Sequence, residues 1–130
     1  MIYGNKYVTI FILLSFILLV GCSKNFQNFH YDLYDGYVIK GIDNKVELYK
    51  NDEVIKIENK DYNIKEIKYN SDVVCLKLQN GKYYMIYYVD SSIYGPYTKE
   101  TLEETIKNDS TMSFNIDFKN ILKVDGLVYE

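Results

Sequence analysis

Cys22 has the sharpest chemical setting in the chain. It is a thiol directly behind Gly21, at the end of a nearly unbroken apolar run from Val8 to Val20. A thiolate is the strongest side-chain nucleophile available for taking up a carbon chain. The other cysteine, Cys75, lies inside Val73-Val74-Cys75-Leu76 and reads as a small buried hydrophobe. As a nucleophile it would need a base and an orienting group beside it, and the single histidine, His30, is far away along the chain. No cysteine or histidine cluster has the spacing of a zinc site. Asp32 and Asp35 flank Tyr34, but acid–base catalysis would require two carboxylates, drawn from these and Glu47 or Glu66, to face one cavity. Asp35-Gly36 fits an ordinary turn equally well. His30 could pair with Asp32 or titrate near neutral pH, or simply be solvated. Calcium-loop, phosphate-loop and nucleophile-elbow patterns are all missing from the sequence. The residues therefore predict no catalytic site, no metal and no cofactor.

Tyrosine is the other abundant chemistry. Of fifteen tyrosines, Tyr3 and Tyr7 precede Cys22, which leaves thirteen beyond it. A tyrosine offers a large apolar face with a polar tip, so alternating tyrosines can make a platform for sugars or peptides. Tyr34, Tyr37, Tyr84, Tyr88, Tyr94 and Tyr97 are the candidates for such contacts. The competing reading is a core in which tyrosine takes the place of phenylalanine and tryptophan.

The elements around Cys22 decide where this chemistry takes place. Val8–Val20 would make a helix of about 20 Å at roughly 1.5 Å per residue. A bilayer core is about 30 Å thick and needs about 20 apolar residues. The run is thus short for a span and matches the apolar region of a secretory signal, with Lys6 as its positive flank. Leu19-Val20-Gly21-Cys22 resembles the lipobox of bacterial lipoprotein precursors. That resemblance implies lipidation of the Cys22 thiol and cleavage between Gly21 and Cys22. The expected layout is a signal peptide over 1–21, a lipidated polar tether over 22–31 and one domain over 32–126. Two acyl chains on one glyceryl group satisfy the two-signal requirement for stable anchoring.

Removal of the signal would leave about 109 residues, one domain by ordinary size, able to bury roughly two-thirds of its surface without a disulfide or metal. The chain carries −3 formal charge, and loss of Lys6 makes it −4. It has no arginine, and its lysines are spread evenly. That excludes the basic stripe on which nucleic-acid binding depends.

From Tyr37 the sequence alternates in short β-branched and aromatic runs separated by Asp43-Asn44-Lys45, Asn51-Asp52, Asn59-Lys60-Asp61, Ser71-Asp72 and Asn80-Gly81. The spacing predicts an antiparallel meander of about six strands, curled or barrel-like, in a mainly β (α+β) fold. Val73–Leu78 and Tyr83–Val89 are apolar on both faces and should be central, with both faces covered. Tyr94-Gly95-Pro96-Tyr97 reads as a break, since proline lacks an amide donor. Thr98 then caps a predicted helix near 98–108, with Leu102 and Ile106 on its apolar face. Ser113–Val124 reads as a short extended piece, with Phe114, Ile116 and Phe118 alternating, followed by a last turn.

Three segments, Tyr31–Tyr37, Tyr84–Asp90 and Tyr94–Glu100, together with the lipobox, resemble a family of small lipoproteins of Gram-positive bacteria catalogued as a domain of unknown function. That family usually has a tryptophan in its aromatic strand, and this sequence has none. The resemblance implies an address and an architecture, and no activity. The expectation is a non-enzymatic lipoprotein on the outer face of the cytoplasmic membrane. Lipid on Cys22 would hold it there, and its β-domain would face a protein or cell-wall partner. The alternatives are a ligand or glycan binder using tyrosines, and a carboxylate-dependent hydrolase.

Overall fold

A computed structural model describes residues 26–114 and 117–130. Those residues form a mainly β fold: ten strands in two antiparallel sheets, with one α-helix. The first sheet holds β1 (Phe29–Asp32), β2 (Tyr37–Ile42), β3 (Lys45–Lys50), β4 (Glu53–Val54) and β10 (Val128–Tyr129), in the order β10-β1-β2-β3-β4. The second holds β5 (Ile64–Tyr69), β6 (Val73–Leu78), β7 (Tyr83–Tyr87), β8 (Ile93–Tyr97) and β9 (Lys119–Asn120), in the order β8-β7-β6-β5-β9. The helix α1 spans Lys99–Asn108, and a 3-10 turn spans Ile121–Lys123.

The sheets do not close into a barrel. The break lies between β4 and β5. The Tyr62 hydroxyl accepts from Leu48 N–H at 3.1 Å and donates to Ile55 C=O at 2.6 Å. Those two backbone groups face each other on the rung after Tyr49–Val54, so the phenol stands in their ladder bond and regular β3–β4 pairing stops at Val54. Of Val54–Glu58, a short apolar run between two turns that the sequence suggests as a strand, only Val54 belongs to β4, and Ile57 makes an isolated bridge to Lys60.

Alternation decides what each face buries. In β2 and β3, Tyr37, Ile39, Val46 and Leu48 point inward, while Val38, Lys40, Glu47 and Tyr49 lie on the half-buried outer face. Ile64, Ile67, Val74, Leu76, Leu78, Tyr84 and Ile86 meet them from the second sheet in one core. The two-residue turns Asp43-Asn44 and Asn51-Asp52 both have positive φ at each residue, the primed geometry that matches strand twist. Asn and Asp tolerate it best after glycine.

β6 and β7 are central in the second sheet and covered on both faces, as their two-sided apolarity requires. The outer cover is α1 and the segment after it: Leu102 is buried against Val73, Cys75, Tyr83 and Met85, with Ile106, Met112, Phe114 and Phe118 alongside. Thr98 caps the helix by accepting from Thr101 N–H at 3.2 Å. Tyr94–Tyr97, expected as a break, is instead part of β8. It is an edge strand, where a proline's missing donor leaves no ladder bond unmade. The ordered β-structure also begins earlier than the tether boundary at residue 31: β1 starts at Phe29, and β10 closes against it beyond residue 126.

Phe29 reaches the core through a glycine. It pairs with Gly41 across β1–β2, and a Cβ on Gly41 would stand 2.2 Å from the Phe29 ring. Gly41→Ala should lower unfolding free energy by about 1–3 kcal/mol through overpacking. Urea unfolding reads this as a lower midpoint at unchanged slope, and Phe29→Leu in the same chain should recover part of the loss. An unchanged midpoint in Gly41→Ala would contradict the packing.

Candidate functional site

The strands run between two ends of the molecule. Phe26, the Asp43–Asn44 turn, Asn63 and the Asn80–Gly81 turn meet at one end. Phe26 N–H donates to Asn44 Oδ1 at 3.2 Å, Val46 N–H to Asn63 Oδ1 at 2.9 Å, and Gln79 N–H to Asn63 C=O at 2.9 Å. The turns at residues 33–36, 51–52, 70–72 and 89–92 meet at the other end. Asn51 N–H donates to Gly36 C=O at 3.4 Å and Tyr88 N–H to Asp72 C=O at 3.1 Å, and the Tyr37 hydroxyl bonds to Ser91 Oγ.

The first end carries two open clefts on either side of Asp61 and Tyr62. One, of about 370 Å³, is lined by Lys45, Asn63, Leu78, Gln79 and Asn80 as well. The other, of about 340 Å³, adds Glu47, Val54, Ile55 and Asn59. Lys45 Nζ lies 3.0 Å from Asp61 and 3.6 Å from Glu47. The hydrogen bond it donates to Asp61 holds its ammonium above the ordinary range, and the nearby carboxylate of Glu47 adds to this. Tyr62, desolvated and bonded to backbone, has its phenol pushed well upward. The clefts offer amides, the compensated Lys45 and, around the second, the exposed Lys56 and Lys60 for bonding to a polar or anionic group.

The second end is aromatic. Tyr31, Tyr69, Tyr34, Tyr88 and Tyr37 form a chain of tilted or edge-on contacts with centroids 5.1 to 6.4 Å apart. The Tyr31 and Tyr69 hydroxyls bond to one another. Tyr88 OH is buried with no hydrogen-bond partner among the described residues. Of the six candidate tyrosines, Tyr37, Tyr84 and Tyr88 are buried in the inter-sheet core, which removes them as ligand contacts. Tyr34 is 46% exposed at the aromatic end and leans on Tyr88 at 43°. Tyr94 is 47% exposed on β8 and stands at 84° to Tyr87, and Tyr97 is half-buried under α1. No two of the exposed rings are paired in one plane. The sequence left core and platform open because alternating tyrosines fit both; only the partner on the opposite face decides between them.

The carboxylates stay apart. Asp32 is exposed on the outer face of the first sheet, and Asp35 is in a turn at the aromatic end. Glu47 is beside Lys45, and Glu66 pairs with Lys77 at 3.2 Å on the outer face of the second sheet. Glu47 borders the second cleft, and the other three border neither cleft. His30 lies on β1 with Nδ1 3.7 Å from the Glu130 carboxylate, and not paired with Asp32. Cys75 is free and fully buried, and burial pushes its thiol up to about 12. Among the described residues no group of three or more His, Cys, Asp or Glu could hold a metal. Gly21 and Cys22 lie outside the described residues. No family model, no curated protein and no solved structure matches the chain.

Two outcomes follow from the buried groups. Desolvation raises the phenols of Tyr31, Tyr62, Tyr84 and Tyr88, with Tyr84 pushed up to about 12. A raised folded-state value means folding favours the neutral form. That stabilisation is complete below the ordinary phenol pKa of about 10 and is lost as pH rises through the folded-state value. The part of the tyrosinate absorbance that comes from these buried phenols should therefore rise in step with loss of near-ultraviolet circular dichroism; ionisation of all phenols in a still-folded protein would contradict this. Cys75 should react with a thiol reagent only at the rate of unfolding, and stoichiometric modification of the native protein at neutral pH would show that the thiol is reachable.

Proposed function

We propose that the protein is a membrane-anchored extracytoplasmic lipoprotein that does no chemistry of its own and presents a small, rigid β-domain to a protein or cell-wall partner. The observation that carries the reading is the thiol of Cys22 directly behind Gly21 at the end of the apolar run Val8–Val20. A run of that length, with a positive flank and a small residue before a cysteine, serves processing and lipid attachment better than it serves a span. Among the described residues no helix is long and apolar enough to cross a membrane. The resemblance of Leu19–Cys22 to a lipobox, and of three further segments to small Gram-positive lipoproteins, supports the same address: the outer face of the cytoplasmic membrane.

The geometry supports a presenting role in a second way. The other cysteine is buried, its thiol held neutral. The four carboxylates that could have formed an acid–base pair are spread over two sheets and a turn. The exposed tyrosines do not assemble a flat platform. What the fold does offer is two ends of contrasting character on one rigid body.

Cys22→Ala in the full chain, expressed in a bacterium with lipoprotein processing, should abolish acyl-lipid labelling and leave unprocessed precursor. Gel mobility and metabolic labelling read both. Normal labelling and maturation of that variant would overturn the assignment.

A further inference from the structure

The lipidated reading leaves open which side of the domain meets the bilayer, and the fold answers it. We infer that the end carrying Phe26, the Asp43–Asn44 turn, the Asn80–Gly81 turn and Leu122–Lys123 lies against an anionic lipid surface, with the Tyr34–Val89 end pointing away. The inference rests on the lipid attachment to Cys22 proposed above.

Reach comes first. Four residue steps separate Cys22 from Phe26, and at about 3.3–3.6 Å per residue they span at most about 14 Å. Phe26 is fixed to the domain: its N–H bonds Asn44 Oδ1 at 3.2 Å and its ring lies 5.4 Å from that of Phe29. Asn28 Oδ1 accepts from Asp43 N–H at 3.1 Å, which ties the entering chain to the same turn. The six-residue strands put the two ends about 20 Å apart at about 3.3 Å per residue. The far end therefore cannot face the headgroups while Phe26 stays within reach of its anchor.

Charge selects upright over sideways. At the Phe26 end, Lys65, Lys82 and Lys123 are exposed, and Leu122 is 43% exposed between them and the entering chain. Of the carboxylates there, Asp61 is paired with Lys45 and Glu130 lies beside His30, while Asp43 is exposed. Lysines within a Debye length of anionic lipid are attracted to it, and an adjacent apolar side chain can enter the interface. The opposite end places one aspartate in each of its four turns, Asp35, Asp52, Asp72 and Asp90; Lys40 pairs with Asp52 at 3.1 Å, and Lys50 is the lysine in the turns and strand ends themselves, which leaves Asp35, Asp72 and Asp90 without a paired lysine there. Lying on the helix would bring the exposed Glu100, Glu103 and Glu104 of α1 to the headgroups together with Lys99 and Lys107, a net acidic face. Both alternatives press carboxylates onto anionic lipid.

The test uses the full lipidated chain in vesicles of phosphatidylcholine and phosphatidylglycerol containing a headgroup-labelled nitroxide lipid. A thiol-reactive fluorophore is placed on Leu122→Cys or Val89→Cys; Cys75 is buried and does not compete. Quenching should be several-fold stronger at 122 than at 89. A Lys65→Glu, Lys82→Glu, Lys123→Glu chain should still float with the vesicles and lose most of that contrast. Equal quenching at both sites in a protein that floats, or stronger quenching at 89, would overturn the orientation while leaving lipidation standing. Contrast that survives the triple substitution would overturn the role given to the lysines. A mature wild-type chain that carries no lipid and fails to float would overturn both the anchoring and the orientation built on it.

Discussion

A phenol ring brings a core nearly the apolar surface of phenylalanine, but its hydroxyl must keep a hydrogen-bond partner when it leaves water. The inter-sheet core is built largely under that constraint. Tyr31 and Tyr69 satisfy each other across the two sheets. Tyr37 reaches Ser91 in the β7–β8 turn, Tyr62 reaches the backbone of β3 and of Ile55, and Tyr84 donates to Glu58 at 2.7 Å. Each bond joins one sheet to the other, or to the turns between them. The hydroxyls therefore help set how the sheets stack, and Tyr62 also limits β4 by standing in the Leu48–Ile55 rung of its pairing with β3.

The same constraint explains the character of the far end. Tyr31, Tyr37 and Tyr69 gather there with their hydroxyls partnered, and the rings of Tyr34 and Tyr88 pack among them. Tyr88 alone among the described residues is left with a buried, unpartnered oxygen, and burial pushes its phenol well upward. Burying an unpaired hydroxyl costs roughly 1–3 kcal/mol by mutational measures. Its ring contacts, 5.1 Å to Tyr37 and 6.0 Å to Tyr34, are what offset it.

Much of this was readable from alternation, and the parts that were not have specific reasons. β2, β3, β6 and β7 announce themselves through inward Ile39, Leu48, Val74 and Ile86, and α1 through Thr98 and the Leu102–Ile106 pair. Two-sided apolarity in β6 and β7 correctly required a cover, and α1 is that cover. Alternation is blind to which strand ends a sheet, so a curled meander and two stacked sheets look alike in sequence. Pro96 misled for a related reason: its missing donor matters only inside a sheet, and edge position is not written locally. β1 was hidden within a polar segment because its inward residues are only Phe29 and Tyr31, and its pairing with β10 joins residues a hundred positions apart. As for the candidate contacts, the sequence supplied the tyrosines, but the partner across the core determines which of them remain accessible.

Small secreted domains are commonly braced by disulfides; this one, proposed above to lie outside the cell, has a single cysteine among its described residues, buried in the middle of β6. Bracing comes from elsewhere. At the far end, turns from four separate hairpins are tied by backbone and hydroxyl bonds: Asn51 to Gly36, Tyr88 to Asp72, and Tyr37 to Ser91. Side chains inside the turns close them further, with Asn70 Oδ1 accepting from both Asp72 and Val73 and Asp90 Oδ1 from Ser92 N–H. That last bond, with the Ser92 hydroxyl, holds the Asp90 carboxyl below its ordinary range. Val89 projects from this braced turn at 86% exposure, next along the chain to Tyr88, on whose ring Tyr34 leans. An apolar side chain held out by an ordered turn gives up little conformational entropy when a partner covers it. The far end thus suits the presenting role proposed above, and its bracing follows from the same hydroxyl bonds that join the sheets.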